Sequence, residues 1–321
     1  MTSIHKLGLV AGLIFFAAAS AFAPRPTLSQ SVAPASENGA PENGATESGN
    51  AVVPAYVTTG ACVTCHEAAA ASWRDSHHAW AWRLPDAATV LGDFDGASLD
   101  LDGVKTTFTK DEGAYRIESE SPNGDRTSYD VVGTIGVTPL QQYMVDAGKG
   151  HLQVPDASWD ANDGRWYDLY PEQDIAENDG LHWTGPYKSW NARCAECHAT
   201  GFSKNYTPQS HSYASSEAEI GVGCEACHGP GEAHVAWAQS PDSYKADAWA
   251  GGDAMGLVAS FSAERPELEI QQCAGCHARR EPLGDSSPLP GTPFADSYLL
   301  STMRPGLYQP DGQILDEVYV Y

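Results

Sequence analysis

The sequence predicts a mainly α-helical fold with much irregular loop and one small antiparallel β insertion. Three observations lead to this prediction. The pattern Cys-x-x-Cys-His occurs four times, and 31 glycines and 21 prolines in 321 residues indicate many loops and turns. One long segment without the pattern, at about residues 93–190, contains the alternating runs typical of strands. We therefore expect a core that is organised by something other than long helices.

The N-terminus has the features of an export signal. Lys6 supplies a positive charge, and the apolar run LGLVAGLIFFAAASAFA ends in small residues suited to cleavage. We expect residues 1–23 to be a signal peptide. The alternative is an uncleaved anchor helix, because the run is at the short limit for spanning a bilayer. No later segment is apolar enough to span, so we expect a periplasmic or otherwise extracytoplasmic protein without a membrane span after signal cleavage.

A polar linker follows the signal. Residues 24–54 include SQSVAPASENGAPENGATESGN, which has almost no large apolar side chain. Such a segment buries too little surface to offset its ordering entropy, so we expect a disordered linker. The folded domain is predicted to cover residues 55–321.

The charge balance excludes one class of partner. With 18 Lys+Arg against 42 Asp+Glu, the formal net charge is −24. Nucleic-acid binding needs a basic surface, so it is not expected. A protein partner is expected to present a basic docking surface.

All eight cysteines belong to the repeated pattern. We call its four copies motif 1 (CVTCH, 62–66), motif 2 (CAECH, 194–198), motif 3 (CEACH, 224–228) and motif 4 (CAGCH, 273–277). Disulfides, structural zinc or a redox dithiol could each use paired cysteines. None of these explains a histidine after every pair, which four independent coincidences would produce with a chance of about one in a million.

Covalent c-type haem does explain the pattern. Two thiols add to the vinyl groups of one haem, and the adjacent imidazole reaches its iron. The sequence thus predicts four covalent haem c groups. The predicted haem-attachment residues are Cys62, Cys65, Cys194, Cys197, Cys224, Cys227, Cys273 and Cys276. The predicted proximal ligands are His66, His198, His228 and His277.

The second iron ligands are predicted by subtraction. Six histidines remain in the mature chain, and two of them, His151 and His211, lie in polar contexts typical of the surface. The candidate distal ligands are His77, His78, His182 and His234. His77 and His78 lie on a predicted helix and face different ways, so they could serve two haems. His234 follows the Gly-Pro-Gly turn of motif 3 and is expected to reach a neighbouring haem.

With these motifs placed, residues 56–321 resemble multihaem cytochromes of the cytochrome c-552/4 type. The resemblance is carried by ACVTCHEAAAASWRDSHHAWA, GVTPLQQYMV, GRWYDLYP, LHWTG, WNARCAECHATGFSKNY and GVGCEACHGPGEAHVAWA. It implies a cytochrome fold wrapped around covalent haems, an extracytoplasmic location, electron transfer and redox partner proteins. The histidines of SHH, LHW and GPGEAH match positions where the family keeps histidine. Relatives usually continue into a further motif, so the chain is expected to be either a short form or a fragment.

Two functions are compatible with these observations. The first is a tetrahaem electron carrier with no catalytic residue and no substrate of its own. The alternative is a multihaem oxidoreductase with one open haem iron, acting on a small nitrogen or sulfur compound. Ligation by two histidines at every iron favours the carrier, whereas an open sixth position permits catalysis.

Overall fold

The computed structural model describes residues 53–101, 103–120, 124–171, 173, 175–176, 178–239, 255–312 and 315. The predicted signal peptide lies outside the described residues, as does the predicted linker except for its last two positions. Within the described part, no helix has both the length and the apolar character needed to cross a bilayer.

The largest element is an antiparallel sheet of eight strands. These are β1 (Asp95–Leu101), β2 (Val104–Asp111), β3 (Ala114–Glu120), β4 (Arg126–Ile135), β5 (Leu140–Asp146), β6 (Leu152–Gln153), β7 (Ala157–Asp160) and β8 (Arg165–Asp168). Their order is β1-β2-β3-β4-β5-β7-β8, with β6 paired to β5. Because β8 returns to lie against β1, the sheet nearly closes into a barrel.

An aromatic core fills the concave side of this sheet. The pattern of alternate burial places Phe108 of β2 opposite Ile117 of β3, and both side chains are almost fully buried. Trp166 of β8 stacks on Phe108 with ring centres 3.6 Å apart and planes within 2°. Phe94 packs edge-on against both rings. These contacts hold the two ends of the sheet together.

Two turns show why the chain reverses where it does. Between β2 and β3, Glu112 and Gly113 both have positive φ (48° and 89°), the conformation of a tight hairpin turn that matches strand twist. Between β7 and β8, the Asp160 carboxylate accepts hydrogen bonds from the backbone N–H groups of Asn162 and Asp163 (3.0 and 2.9 Å). The segment WDANDGRWYDLYP, expected to be irregular, thus contains a hairpin.

The helices are short. They are α1 (Thr59–Cys62), α2 (Glu67–Arg74), α3 (Ala195–His198), α4 (Glu225–His228), α5 (Glu232–Gln239), α6 (Pro266–His277) and α7 (Phe294–Ser297), with a 3-10 turn at Pro186–Lys188 and a π-helical turn at Trp190–Cys194. Helix α5 follows the Gly-Pro-Gly turn, and α6 leads into motif 4. The expected helix through His77 and His78 is wrong, because α2 ends at Arg74 and the pair lies in turns.

The prediction of a mainly α-helical fold is therefore wrong: the described structure is mainly antiparallel β. Three of the motifs lie in or beside helices of only four residues. The motif is repeated, but each copy adds only a few residues to the helical content of the protein. The sheet, in contrast, is larger than the small antiparallel insertion expected from the sequence, because β5 to β8 add to it. The β part is thus the main framework of the described chain and not a small insertion.

Three two-stranded ladders connect the motif-bearing segments. They pair β9 (Ala199–Thr200) with β12 (Glu219–Ile220), β10 (Tyr206–Thr207) with β11 (Ser212–Tyr213), and β13 (Arg280–Pro282) with β14 (Tyr298–Leu300). A second apolar core joins the large sheet to motif 2. Trp82 and Trp190 meet edge to face in this core, with ring centres 5.3 Å apart, beside the fully buried Met144.

Candidate functional site

Each motif lies in a tight helical turn. In motif 1 the His66 backbone N–H donates to the carbonyl of Cys62 (3.0 Å), and in motif 3 His228 donates to Cys224 (3.1 Å). One turn brings both cysteines and the histidine of a motif to the same small area. All eight cysteines are described, and no disulfide joins any of them. Among the described residues, no three or more His, Cys, Asp or Glu side chains are grouped so that they could hold a metal ion.

The motifs contact one another in a defined order. The thiols of Cys62 and Cys224 lie close together, which joins motif 1 to motif 3. The thiols of Cys197 and Cys276 lie close together, which joins motif 2 to motif 4.

Motifs 3 and 4 are joined in a different way. The thiol of Cys227 lies near that of Cys273, and repulsion between them contributes to the raised pKa of Cys227. The side-chain amide of Gln272, next to motif 4, donates to the carbonyl of Ala226 in motif 3 (3.2 Å). The motifs therefore follow one another in space as 1, 3, 4 and 2.

Two of the candidate distal histidines lie beside proximal histidines of other motifs. The ring centres of His66 and His234 are 6.1 Å apart, with planes at 26°. Those of His78 and His277 are 6.0 Å apart, with planes at 72°. His234 follows motif 3 but lies beside motif 1, whereas His78 follows motif 1 and lies beside motif 4. Each pair therefore connects segments that are far apart in the chain.

These distances fit two imidazoles that share one iron. A metal–imidazole nitrogen bond is about 2.0–2.1 Å long, and the ring centre lies roughly 1.1 Å beyond the nitrogen. Two imidazoles on opposite sides of one ion therefore have centres about 6.2–6.4 Å apart. The residues present thus fit haem held by one motif and ligated by a histidine from another.

Hydrogen bonds at Nδ1 leave Nε2 available for a metal in two histidines. Nδ1 of His234 bonds the carbonyl of Met255 (2.9 Å), and Nδ1 of His198 bonds that of Ala81 (2.8 Å). A carbonyl partner requires Nδ1 to carry the proton, so Nε2 keeps its lone pair for a metal. In His182, Nδ1 contacts the Thr184 hydroxyl (2.8 Å) and accepts a hydrogen bond from the Thr184 backbone N–H (3.3 Å), so the proton of the neutral ring is on Nε2.

The two histidines assigned to the surface are bonded differently. Nε2 of His151 bonds the carbonyl of His211 (2.8 Å), so this nitrogen carries the proton and cannot bind iron. His211 Nδ1 bonds the Tyr206 hydroxyl (3.1 Å), and both side chains of that pair are exposed. The hydrogen bond at Nε2 therefore leaves only Nδ1 of His151 for a metal.

Among the residues that the structure describes, the other candidate iron ligands do not contact a second histidine ring in this way. His77 lies in a turn and lines the cavity described below, without a ring contact to a proximal histidine. His182 contacts the ring of Trp183. The proximal candidates His198 and His228 meet Trp190 and Phe261 edge-on, each with ring centres 5.5 Å apart. Within the described residues, histidine pairs of the kind above are thus seen for motifs 1 and 4.

A cavity of about 600 Å³ opens among motifs 2, 3 and 4. Its lining includes cysteines of all three motifs, the histidines of motifs 2 and 4, and the two histidines of SHH. These residues are His77, His78, Cys194, Cys197, His198, Cys227, Cys273, Cys276 and His277. The cavity thus provides space beside the predicted attachment residues, as large planar groups require.

Burial shifts the pKa of several of these groups. Burial lowers the pKa of His198, so its imidazole is neutral and can act as a ligand at neutral pH. Burial, with added repulsion from Cys224 and Glu225, raises the pKa of Cys62 to about 12. Burial also raises the pKa of Cys227. These two thiols are therefore protonated.

Two carboxylates, the buried Glu225 and the half-buried Glu219, hold the start of the folded chain against the segment of motif 3. Glu225, only 2% exposed, accepts hydrogen bonds from the backbone N–H groups of Val57 (2.9 Å), Thr58 (2.7 Å) and Gly231 (2.7 Å). Glu219 accepts from both the backbone N–H and the hydroxyl of Thr59 (2.9 and 2.8 Å). Most of these partners are more than 150 positions away, so no local pattern could have indicated them.

Comparison with known proteins finds a family model that matches part of the chain. Residues 61–94 and 164–229 match the family model described as cytochrome c554 and c-prime. The first segment contains motif 1 and the pair His77 and His78. The second contains motifs 2 and 3 and His182. No curated protein sequence matches the chain.

Two solved structures are similar. The outer cell wall cytochrome OcwA matches with a TM-score of 0.51 and 23% identity, over 80% of this chain and 48% of that one. An undecahaem cytochrome from the S-layer of Carboxydothermus ferrireducens matches with a TM-score of 0.39 and 19% identity, over 70% of this chain and 25% of that one. The chain therefore spans about half the length of OcwA.

These likenesses and the chemistry of the site agree. The family match includes three of the four motifs, the fold is similar to that of the outer cell wall cytochrome OcwA, and the paired imidazoles fit iron of covalently bound haem. The resemblance predicted from the sequence is thereby confirmed. The chain resembles c-type cytochromes in sequence over residues 61–94 and 164–229 and in fold over 80% of its length.

Proposed function

We propose that the protein is an extracytoplasmic carrier that passes electrons between redox partners through four covalent haems. Each haem would be attached to the two cysteines of one motif and ligated by the histidine that follows them. The haem iron supplies reversible one-electron transfer, and the chain supplies spacing, ligation and local dielectric.

The order of the motifs supports a linear path. Contacts join motif 1 to motif 3, motif 3 to motif 4, and motif 4 to motif 2. On this order, electrons would enter at the haem of motif 1 and leave at that of motif 2, or the reverse. The two middle haems would then serve for internal transfer.

The observation that carries the proposal is the pairing of histidines across motifs. His234 would be the distal ligand of the motif 1 haem, and His78 that of the motif 4 haem, as the ring distances of 6.1 and 6.0 Å support. His77 and His182 are the candidates for the haems of motifs 2 and 3. Ligation by two histidines gives low-potential electron-transfer centres, since methionine ligation raises the potential.

The location and the partner are also proposals. The export signal supports an extracytoplasmic site, periplasmic or beyond, and the similar structure OcwA bears the name of an outer cell wall cytochrome. The net charge of −24 supports a partner with a basic docking surface and no nucleic-acid ligand.

One observation favours the alternative, a multihaem oxidoreductase acting on a small nitrogen or sulfur compound. His198 of motif 2 has the edge of Trp190 as its ring neighbour, and none of the described histidines pairs with it as His234 pairs with His66. An iron at motif 2 with an open sixth position could bind a small molecule.

The test is spectroscopy of protein matured in a haem-attaching host. Intact mass and the haem absorption band give the number of attached haems, and EPR gives their spin states. Four haems, all low-spin, are expected. One high-spin haem whose spectrum shifts on adding CO or NO would favour the oxidoreductase. Absence of covalent haem would overturn both functions.

A further inference from the structure

The guanidinium of Arg280 is buried between two motifs. The residue is 1% exposed and follows motif 4 by three positions. Its Nε donates to the carbonyl of Gly275 in motif 4 (2.7 Å). Its two terminal nitrogens donate to Glu196 Oε2 (3.1 Å) and to the sulfur of Cys197 (3.5 Å), both in motif 2. One side chain thus bonds to both motifs at once.

Tyr298 of β14 completes the cluster. Its hydroxyl donates to Glu196 Oε1 (2.8 Å), so both carboxylate oxygens of Glu196 accept a hydrogen bond. The Arg280 guanidinium lies over the Tyr298 ring, 4.1 Å from its centre. We call Arg280, Glu196 and Tyr298 the 2/4 charge cluster.

A purely mechanical link between the motifs does not need these charges. An ion pair taken out of water has to overcome the cost of desolvating both groups, and apolar residues of similar volume are often as stable or more stable. The 2/4 charge cluster keeps a positive and a negative charge within three residues of predicted iron ligands. In a low-dielectric interior, charges so placed act strongly on a nearby redox centre.

We propose that Arg280 is a positioning residue that holds motif 2 against motif 4, and that the balance of Arg280 and Glu196 sets the reduction potentials of the two haems there. This inference rests on the proposed electron-transfer function. A positive charge favours the reduced state of a nearby iron, and a negative charge favours the oxidised state. The cluster would thereby control the step between motif 4 and motif 2.

The test compares R280Q, E196Q and the double variant in the haem-loaded protein, by spectroelectrochemical titration with EPR assignment. We expect R280Q to lower and E196Q to raise the potential of at least one haem. Each shift should reach about tenfold in the reduction equilibrium, about 59 mV for a one-electron couple. The double variant should return towards the parent, because it removes both charges. R280K should keep the parental potentials more closely than R280Q.

Arg265 provides a control. It is exposed, lies twelve positions before His277 and donates to the carbonyl of Ser260 (3.5 Å). R265Q should leave the potentials of these haems unchanged. Shifts of the same sign in R280Q and E196Q, no shift in either, or an equal shift in R265Q would overturn the inference.

If R280Q does not retain its haems, the reduction potentials of E196Q decide whether the inference holds. Glutamine has nearly the same shape as Glu196 but no charge, so unchanged potentials in E196Q would refute the proposed effect of the charge. Absence of covalent haem in the parent would instead overturn the proposed function, so the two failures are distinguishable.

Discussion

The junction between motifs 1 and 3 and the junction between motifs 2 and 4 each depend on a buried glutamate, but the charge of each is balanced differently. At the first junction, Glu225 accepts three backbone hydrogen bonds from the start of the folded chain and from Gly231. At the second, Glu196 bonds the Arg280 guanidinium and the Tyr298 hydroxyl. The first glutamate stabilises backbone conformation, whereas the second adds a counter-charge. The same residue type inside a motif can therefore organise chain geometry at one junction and local electrostatics at the other.

The glycines of the first junction show how closely it is packed. Gly229, directly after motif 3, has φ of 78°, and a Cβ there would overlap the side chain of Val258. Only glycine avoids both the left-handed strain and the overlap. The turn that directs α5 and His234 towards motif 1 therefore depends on this residue.

The largest effect is expected from removing His234, which would break the link between motifs 1 and 3 at the iron. We expect H234A to convert the motif 1 haem from low-spin to high-spin, because the iron loses its sixth ligand. EPR measures the change, and added imidazole should reverse it. H211A, which removes an exposed histidine bonded to Tyr206, should remain low-spin. An unchanged low-spin spectrum in H234A would show that His234 is not a ligand.

A smaller effect is expected from E225Q at the same junction. We expect the free energy of unfolding to fall by about 3 kcal/mol, because hydrogen bonds to a charged group contribute about 1.5–3 kcal/mol each and the new amide would face a backbone N–H. Denaturant unfolding measures the change. E232Q is the control, since Glu232 is exposed and accepts one bond from Ala55 (2.9 Å), and it should lose less than about 1 kcal/mol. Equal losses would mean that burial of Glu225 does not matter.

The smallest effect is expected from Y298F at the second junction. The variant keeps the ring under Arg280 but loses the bond to the Glu196 carboxylate, so we expect a loss of about 2 kcal/mol. Y308F is matched to it, because Tyr308 donates to the neutral carbonyl of Ser301 (2.9 Å), and a loss of about 1 kcal/mol is expected. Thermal unfolding compares the two. A loss in Y308F as large as in Y298F would argue against a charge-specific role for Tyr298.

The local chemistry of this protein could be predicted from the sequence. Cysteines three apart and the histidine after them are brought together by one helical turn, as the bond from His66 to Cys62 shows. The charge balance and the export signal are also properties of the chain alone. The prediction that His234 serves a neighbouring haem is supported by its position beside His66 and awaits the spectroscopic test.

The fold class was predicted wrongly for a physical reason. Repeated motifs and scattered helix signals suggested an α-helical protein, but each motif contributes only a few helical residues. Strand pairing between β5 and β7 depends on contacts that local patterns do not report, so the extent of the sheet was missed.

What the sequence by itself determined is which residues can attach and ligate haem, because thioether attachment and proximal ligation depend on spacing within five residues. What only the tertiary structure decided is which motifs are neighbours, which histidine lies beside which motif, and which buried charges join them. Those contacts link residues separated by up to 199 positions, such as His78 and His277. They form only when the sheet and the short ladders have packed the motif-bearing segments together, since no local interaction can select a partner so far along the chain.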